Sequence, residues 1–274
     1  MSITSAFSTS KYQVGLIGVG VMGEALISGL VSARFPKGQI VFSEKRSDRA
    51  REISAKYGAR AVDLGELVEE SDVILLVVKP QDLGELITSI SPNLKKGALL
   101  VSFAAGKTIN FISEKVSADI AVIRVMPNTA TLIGLGMAAM SVGSNVSVEQ
   151  SKFVSDFLAT CGKVISIDES LQDAVTAVSG SGPAYFFAFV EEMIKSGISL
   201  GLSSEEATTL AIQTIIGSAA MLEQSGKSPT ILRENVTSPN GTTAAALKVF
   251  SDSNLGEIIN KAMTAARDRS QELA

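Results

Sequence analysis

From residue 13 to residue 125 the chain alternates short, nearly continuous apolar runs with amphipathic stretches, and this alternation constrains the fold more than any other feature. Strands are expected at 13–18, 39–43, 72–78, 98–103 and 120–125. Helical spacing fills 22–33, 48–57, 81–90 and 110–115 between them. Strands without in–out alternation are buried on both faces, and strand–helix alternation supplies the helices that bury them, which implies a doubly wound parallel sheet. A strand at 136–142, a helix at 148–161 and a strand at 163–167 extend this domain, which is expected to run from 11 to 167.

Beyond about Asp168 the period changes from strand to helix. Helices are expected at 170–178, 183–200, 204–224, 229–235, 243–252 and 255–273, forming an all-helical domain over 168–274. Ser203, Ser204, Glu205 and Glu206 give an N-cap followed by acidic residues in a first turn, and Pro183 and Pro229 suit first-turn positions. The 204–224 helix carries Ala207, Leu210, Ala211, Ile212, Ile215, Ile216, Ala219, Ala220, Met221 and Leu222. An apolar surface this wide must be covered on most sides, and a second copy of the chain is the expected cover.

Composition narrows the chemistry. A net charge of −4 with scattered basic residues argues against a nucleic-acid partner. The most apolar stretch, 182–200, is interrupted by Glu191, Glu192 and Lys195, so no membrane span is expected. The first ten residues, MSITSAFSTS, lack a signal core and read as a frayed tail or a cloning remnant. A single cysteine, Cys161, suits a reducing compartment and reads as a packing residue, so the cytoplasm is the expected location. Histidine is absent, which removes the commonest general acid–base and the commonest metal ligand. No metal is expected.

Gly18, Gly20 and Gly23 form a GxGxxG turn, with Val21 and Met22 inside it, after the first strand and at the start of the first helix. The first glycine permits the tight turn, the second lets the backbone approach a pyrophosphate, and the third lets helix pack on strand. The free N–H groups of the helix start then face the phosphates. About twenty residues on, where such folds read the ribose, stand Ser43, Glu44, Lys45 and Arg46. A serine followed by basic residues suits the additional phosphate of NADP(H), while Glu44 leaves NAD(H) open. Two further strand-end loops are 77–80, with Val78, Lys79 and Pro80, and 103–106, with Ala104 and Ala105. The small residues of the latter would let a nicotinamide approach the backbone. Lys79 and Pro80 fit a proline-started helix equally well.

The loop at 125–129 contains Asn128. In the helical half, SGSGPAY (179–185) and VTSPNGTT (236–243) crowd Gly, Pro, Ser and Thr before helices. Each would expose N–H groups to an anion, although ordinary capping and turn chemistry explains them better on residue chemistry alone.

Taken in order, GVGVMG, VVKPQ, FAAG, RVMPNTA, SGSGPAY and VTSPNGTTAAAL resemble the pyrroline-5-carboxylate reductases over nearly the whole chain. The resemblance implies a Rossmann-type cofactor domain, an all-α dimerisation domain and an active site between them. It further implies a homodimer through the helical half, with a decamer of dimers among the larger assemblies. Carried over by position, Ser238, Gly241, Thr242 and Thr243 line the substrate site, with Thr243 nearest the ring nitrogen. Val78, Lys79, Pro80, Ala104, Ala105 and Asn128 flank the cofactor. The family usually has glycine where this chain has Asn240, and asparagine tolerates left-handed backbone, so the turn is expected to persist.

The implied reaction is reduction of 1-pyrroline-5-carboxylate to L-proline, a hydride transfer to a C=N carbon that needs no histidine. The alternatives are a hydroxyacid dehydrogenase of similar plan, for which Lys195 and Lys248 are the available lysines, a deazaflavin-dependent reductase sharing the N-terminal fold, and a non-catalytic NADP(H) sensor.

Overall fold

In the computed structural model, which describes residues 11–273, the alternation builds an eight-stranded sheet among the described residues. The ten-residue leading segment lies outside them. Strands β1 (Val14–Ile17), β2 (Ile40–Ser43), β3 (Arg60–Ala61), β4 (Val73–Leu76), β5 (Leu99–Ser102), β6 (Ala121–Met126), β7 (Gly136–Val142) and β8 (Gly162–Ser166) lie in the order 3-2-1-4-5-6-7-8. The first six are mutually parallel. β7 runs antiparallel to β6, and β8 parallel to β7. The reversal follows from the connection at 127–135, which holds one short 3-10 turn (Thr129–Ile133) and is too short for a crossover helix.

Side-chain parity divides the sheet into two cores. Leu16, Phe42, Leu75, Val101 and Ile123 face α1 (Val21–Ser32), α2 (Ser47–Tyr57) and α6 (Val148–Ala159), where Leu26, Leu30, Ile53 and Phe157 meet them. Ile17, Val41, Ile74, Leu100 and Val122 face α3 (Leu64–Glu70), α4 (Pro80–Ile90) and α5 (Ile109–Ser113), through Leu67, Leu83, Ile87 and Ile112. This is the two-sided burial that continuous apolar strands require. β3 and α3 go beyond the expected set.

The expected helix at 170–178 is broken into a 3-10 turn (Glu169–Leu171), α7 (Gln172–Val175) and a π turn (Thr176–Gly180). The Ser181 N–H donates to the Thr176 carbonyl at 2.8 Å, and the Thr176 hydroxyl donates to the Gln172 carbonyl at 3.0 Å. The helices that follow are α8 (Gly182–Ser199), α9 (Ser204–Gln224), α10 (Pro229–Asn235), α11 (Thr242–Asp252) and α12 (Leu255–Glu272). Ser203 caps α9 as expected: its hydroxyl accepts from the Glu206 N–H, and Glu206 accepts from the Ser203 N–H.

The chain divides into two compact units, one extending to Ser181 and taking back the chain from Ala266, the other spanning Gly182–Ala265. The change of period near Asp168 marks the end of the sheet, whereas the first unit carries on for a further stretch. Polar burial explains the extension. Gln172 is fully buried and donates to the Ala139 carbonyl at 3.2 Å and the Ser141 hydroxyl at 2.9 Å on β7. Arg124 of β6 is also buried, and ion-pairs with Glu169 at 3.4 Å and Asp173 at 3.6 Å. Cys161 is buried and its thiol is pushed up by that burial, as a packing residue requires.

The second unit leaves much apolar surface open. Phe186 and Phe187 on α8, Leu210 and Ile216 on α9, and Ile258 on α12 are each more than half exposed. Among the described residues no helix is long and apolar enough to cross a membrane.

Candidate active site

Because β1, β2, β4, β5 and β6 are parallel, the loops that follow them emerge on one edge of the sheet. Ligands bind at that edge where the strand order reverses, here between β1 and β4. Gly18–Gly23, Ser43–Arg46, Val77–Pro80, Phe103–Gly106 and Pro127–Asn128 therefore share the carboxyl edge.

The glycine turn has the shape its spacing anticipates. Gly18 lies at φ +89°, and a Cβ there would meet the Val77 carbonyl at 2.9 Å, while a Cβ on Gly23 would collide with the Gly18 carbonyl. At Gly20, by contrast, a Cβ would meet nothing, so the backbone stands open to a ligand. Gly20 is the N-cap of α1 and offers no side chain to its free N–H groups. An open, uncapped helix start over a glycine cradle fits a dinucleotide pyrophosphate.

Charged side chains from the next loop hold the turn. The buried Val19 donates its N–H to Glu44 Oε2 at 3.1 Å, and its carbonyl accepts from Arg49 Nε at 3.1 Å. Partial burial pushes the Glu44 carboxyl up, but the N–H groups of Arg46 and Val19 outweigh it and hold it low. Arg49 in turn pairs with Glu24 of α1 and with Glu52. The Lys56 ammonium lowers Glu24 most; Arg49 and Tyr57 add to it against the opposing effect of burial, and together they take it to about 2. Glu44 is thus engaged with the turn and with the exposed Arg46, whose Nε reaches its Oε1 at 3.5 Å, and Lys45 is exposed beside Ser43 at the tip of β2. Glu24 and Arg49 carried no motif signal, since their roles depend on a contact between consecutive helices.

Pro80 starts α4, with Lys79 as its N-cap and exposed. Ala104 is buried, Ala105 partly so, and Gly106 turns at φ +75°. Asn128 bridges two segments: its Nδ2 donates to the Ser179 hydroxyl at 3.3 Å, and its Oδ1 accepts from the Met137 N–H at 3.2 Å. The first part of SGSGPAY is therefore fastened to the loop after β6.

Within the second unit, Ser238, Pro239, Asn240 and Gly241 form a reverse turn closed by the Gly241 N–H donating to the Ser238 carbonyl at 3.0 Å. Proline second and a left-handed residue third, Asn240 at φ +58°, define a type II turn. Gly241 is the N-cap of α11, and a Cβ there would collide with the Ser238 hydroxyl. No side chain caps α11, so its first N–H groups stand free beside the Ser238 hydroxyl, with Thr242 and Thr243 as its first two residues. Such an array can receive a carboxylate. Lys195 is paired with Glu191 and Glu192 and Lys248 with Asp252, all on exposed helix faces. Among the described residues no three metal-binding side chains cluster.

The chain is 39% identical to the pyrroline-5-carboxylate reductase of Corynebacterium melassecola over 264 residues, which is 95% of this chain and 98% of that relative. The chain belongs to the pyrroline-5-carboxylate reductase family. The family model for pyrroline-5-carboxylate reductase dimerisation matches residues 169–273. A second, described as NADP oxidoreductase, coenzyme F420-dependent, matches only residues 13–106. The pyrroline-5-carboxylate reductase of Coxiella burnetii superposes with a TM-score of 0.90 at 30% identity, covering 97% of this chain and 99% of that one. The Plasmodium falciparum pyrroline carboxylate reductase, solved with NADP bound, gives 0.87 at 31% identity, covering 96% and 98%. A prephenate dehydrogenase, at 16% identity and a TM-score of 0.57, shares the fold alone.

Proposed function

We propose that this chain reduces 1-pyrroline-5-carboxylate to L-proline at the expense of NADPH. The observation that carries the reading is family membership along the whole chain, joined to an open glycine turn at the strand-order reversal. The bound nicotinamide supplies the hydride; the remaining work falls to the protein.

Gly18–Gly23, including Val21 and Met22, receives the pyrophosphate, and Val78, Lys79, Pro80, Ala104, Ala105 and Asn128 flank the rest of the cofactor. Ser43 and Arg46 take the ribose phosphate, since Glu44 is occupied by the Val19 and Arg46 N–H groups. That occupation supports NADPH over NADH, because a committed carboxylate is a poor partner for free ribose hydroxyls. Ser238, Gly241 and Thr242 hold the substrate carboxylate at the start of α11. Thr243 holds the ring nitrogen, which arrives protonated as an iminium and keeps its proton as the adjacent carbon gains the hydride. The product is a secondary amine, and no histidine acid is required. Positioning supplies most of such a rate.

The exposed apolar residues of α8, α9 and α12 are covered by a second subunit in a homodimer, and larger assemblies are built from that dimer. The chain works in the cytoplasm. Absorbance at the reduced-nicotinamide band with pyrroline-5-carboxylate tests the reading, NADPH being consumed faster than NADH. No consumption of either would end it, and faster use of NADH would reverse the cofactor assignment.

A further inference from the structure

The loop after β5 is held by residues that come from far along the sequence. Gly106 is buried, and a Cβ on it would lie 2.9 Å from Leu273 Cβ, 2.9 Å from the Ser270 carbonyl and 3.0 Å from the Leu273 carbonyl carbon. The end of α12, together with Leu273 just after it, therefore sits directly on the Gly106 backbone. That end is fastened in place: Ser270 is 2% exposed, and its hydroxyl donates to Asp173 Oδ1 at 2.7 Å. Asp173 also faces Arg124, whose guanidinium pairs with Glu169 as well. Glu169 then accepts the Ile109 N–H at 2.7 Å, at the far end of the same loop. Residues 104–109 are thus pinned at Gly106 by the end of α12 and at Ile109 by Glu169, with Arg124 joining the two anchors.

We propose that the end of α12 and the residue that follows it, through Ser270 and Leu273, form a clamp that fixes the Ala104–Gly106 loop in the form that receives the nicotinamide. The inference rests on the reading of that loop as part of the cofactor site. A strand-end loop of small residues has no long side chains of its own with which to hold a shape. Leu273 supplies the packing and Ser270 the anchoring hydrogen bond. Both are positioning residues, since they touch the loop and Asp173 rather than any reacting atom.

The test compares two ligands on the wild-type protein and two variants: NADPH, and adenosine 2′,5′-bisphosphate, which lacks the nicotinamide half. The variants are Ser270→Ala and a chain ending at Arg269. Losing one buried hydrogen bond to a charged group is expected to weaken NADPH binding by about tenfold, with bisphosphate binding unchanged. Faster amide exchange at residues 104–107 in the nucleotide-free protein is expected alongside. Equal weakening of both ligands would mean a general structural role and would overturn the clamp, as would unchanged NADPH affinity in both variants. Ala105→Leu separates the premise from the inference. If it leaves NADPH binding intact, the loop is not the nicotinamide seat. If it weakens NADPH selectively while the Ser270 variants do not, the clamp alone fails.

Discussion

At Thr243 the proposed chemistry comes down to one hydroxyl. Its removal in Thr243→Ala is expected to lower kcat/KM for pyrroline-5-carboxylate by about tenfold to a hundredfold, the loss of one hydrogen bond to a charged group. Steady-state kinetics with unchanged cofactor KM would check it. Asn240 makes a separate prediction. Its left-handed backbone at φ +58° suits Asn or Gly but not a β-branched residue. Asn240→Val should therefore cost about 1–2 kcal/mol by chemical denaturation, whereas Asn240→Gly should not. Glu24 sets an acid limit. Its carboxyl sits at about 2 against an ordinary 4.5, so the stability it contributes is complete above 4.5 and is lost as pH falls toward 2. The Glu24→Gln variant should show a flatter dependence of Tm on pH within that window. The turn at Asn240 was legible from residue type. The ties from Glu44 and Arg49 to Val19 were not, because nothing in a sequence tells which of several nearby charges turns inward.

Among the elements, period proved the reliable signal, and connection length decided direction. Helix α9 begins at Ser204 and ends at Gln224 as its spacing and cap indicate. Strands β1, β2, β4, β5 and β6 were legible because each is a nearly continuous apolar run buried on both faces. β3, only two residues long, has no period to detect. Helix α3 did leave a sign, since Asp63 caps it by accepting the Glu66 N–H at 2.9 Å, the spacing of a helix start. The reversal of β7 follows from the short connection at 127–135, whereas the π turn depends on packing against β6 and β7, which local pattern does not encode. Helix α9 also carries the assembly prediction. Replacing the exposed Leu210 and Ile216 with glutamate is expected to convert a dimer to a monomer in light scattering at micromolar concentration. A wild-type monomer under those conditions would remove the proposed interface.

For the whole molecule, the succession of a sheet half and then a helical half was legible from the change of period, although the first compact unit runs on to Ser181. The return of the chain end to the first unit was not, because it is held by a serine hydroxyl and a leucine contact with no local signature. Dissection of the gene feels the effect of the buried Arg124. A fragment ending at residue 167 would retain that cation in its interior while discarding both carboxylates that neutralise it. Stranding a sequestered charge in this way costs about 3–5 kcal/mol, a large share of what a domain of this size has to spare. Such a fragment is expected to be recovered as aggregate. No single contiguous excision isolates the nucleotide half with all of its own packing, so the two halves are best exchanged between relatives as grafts that keep residues 168–181 and the chain end with the sheet.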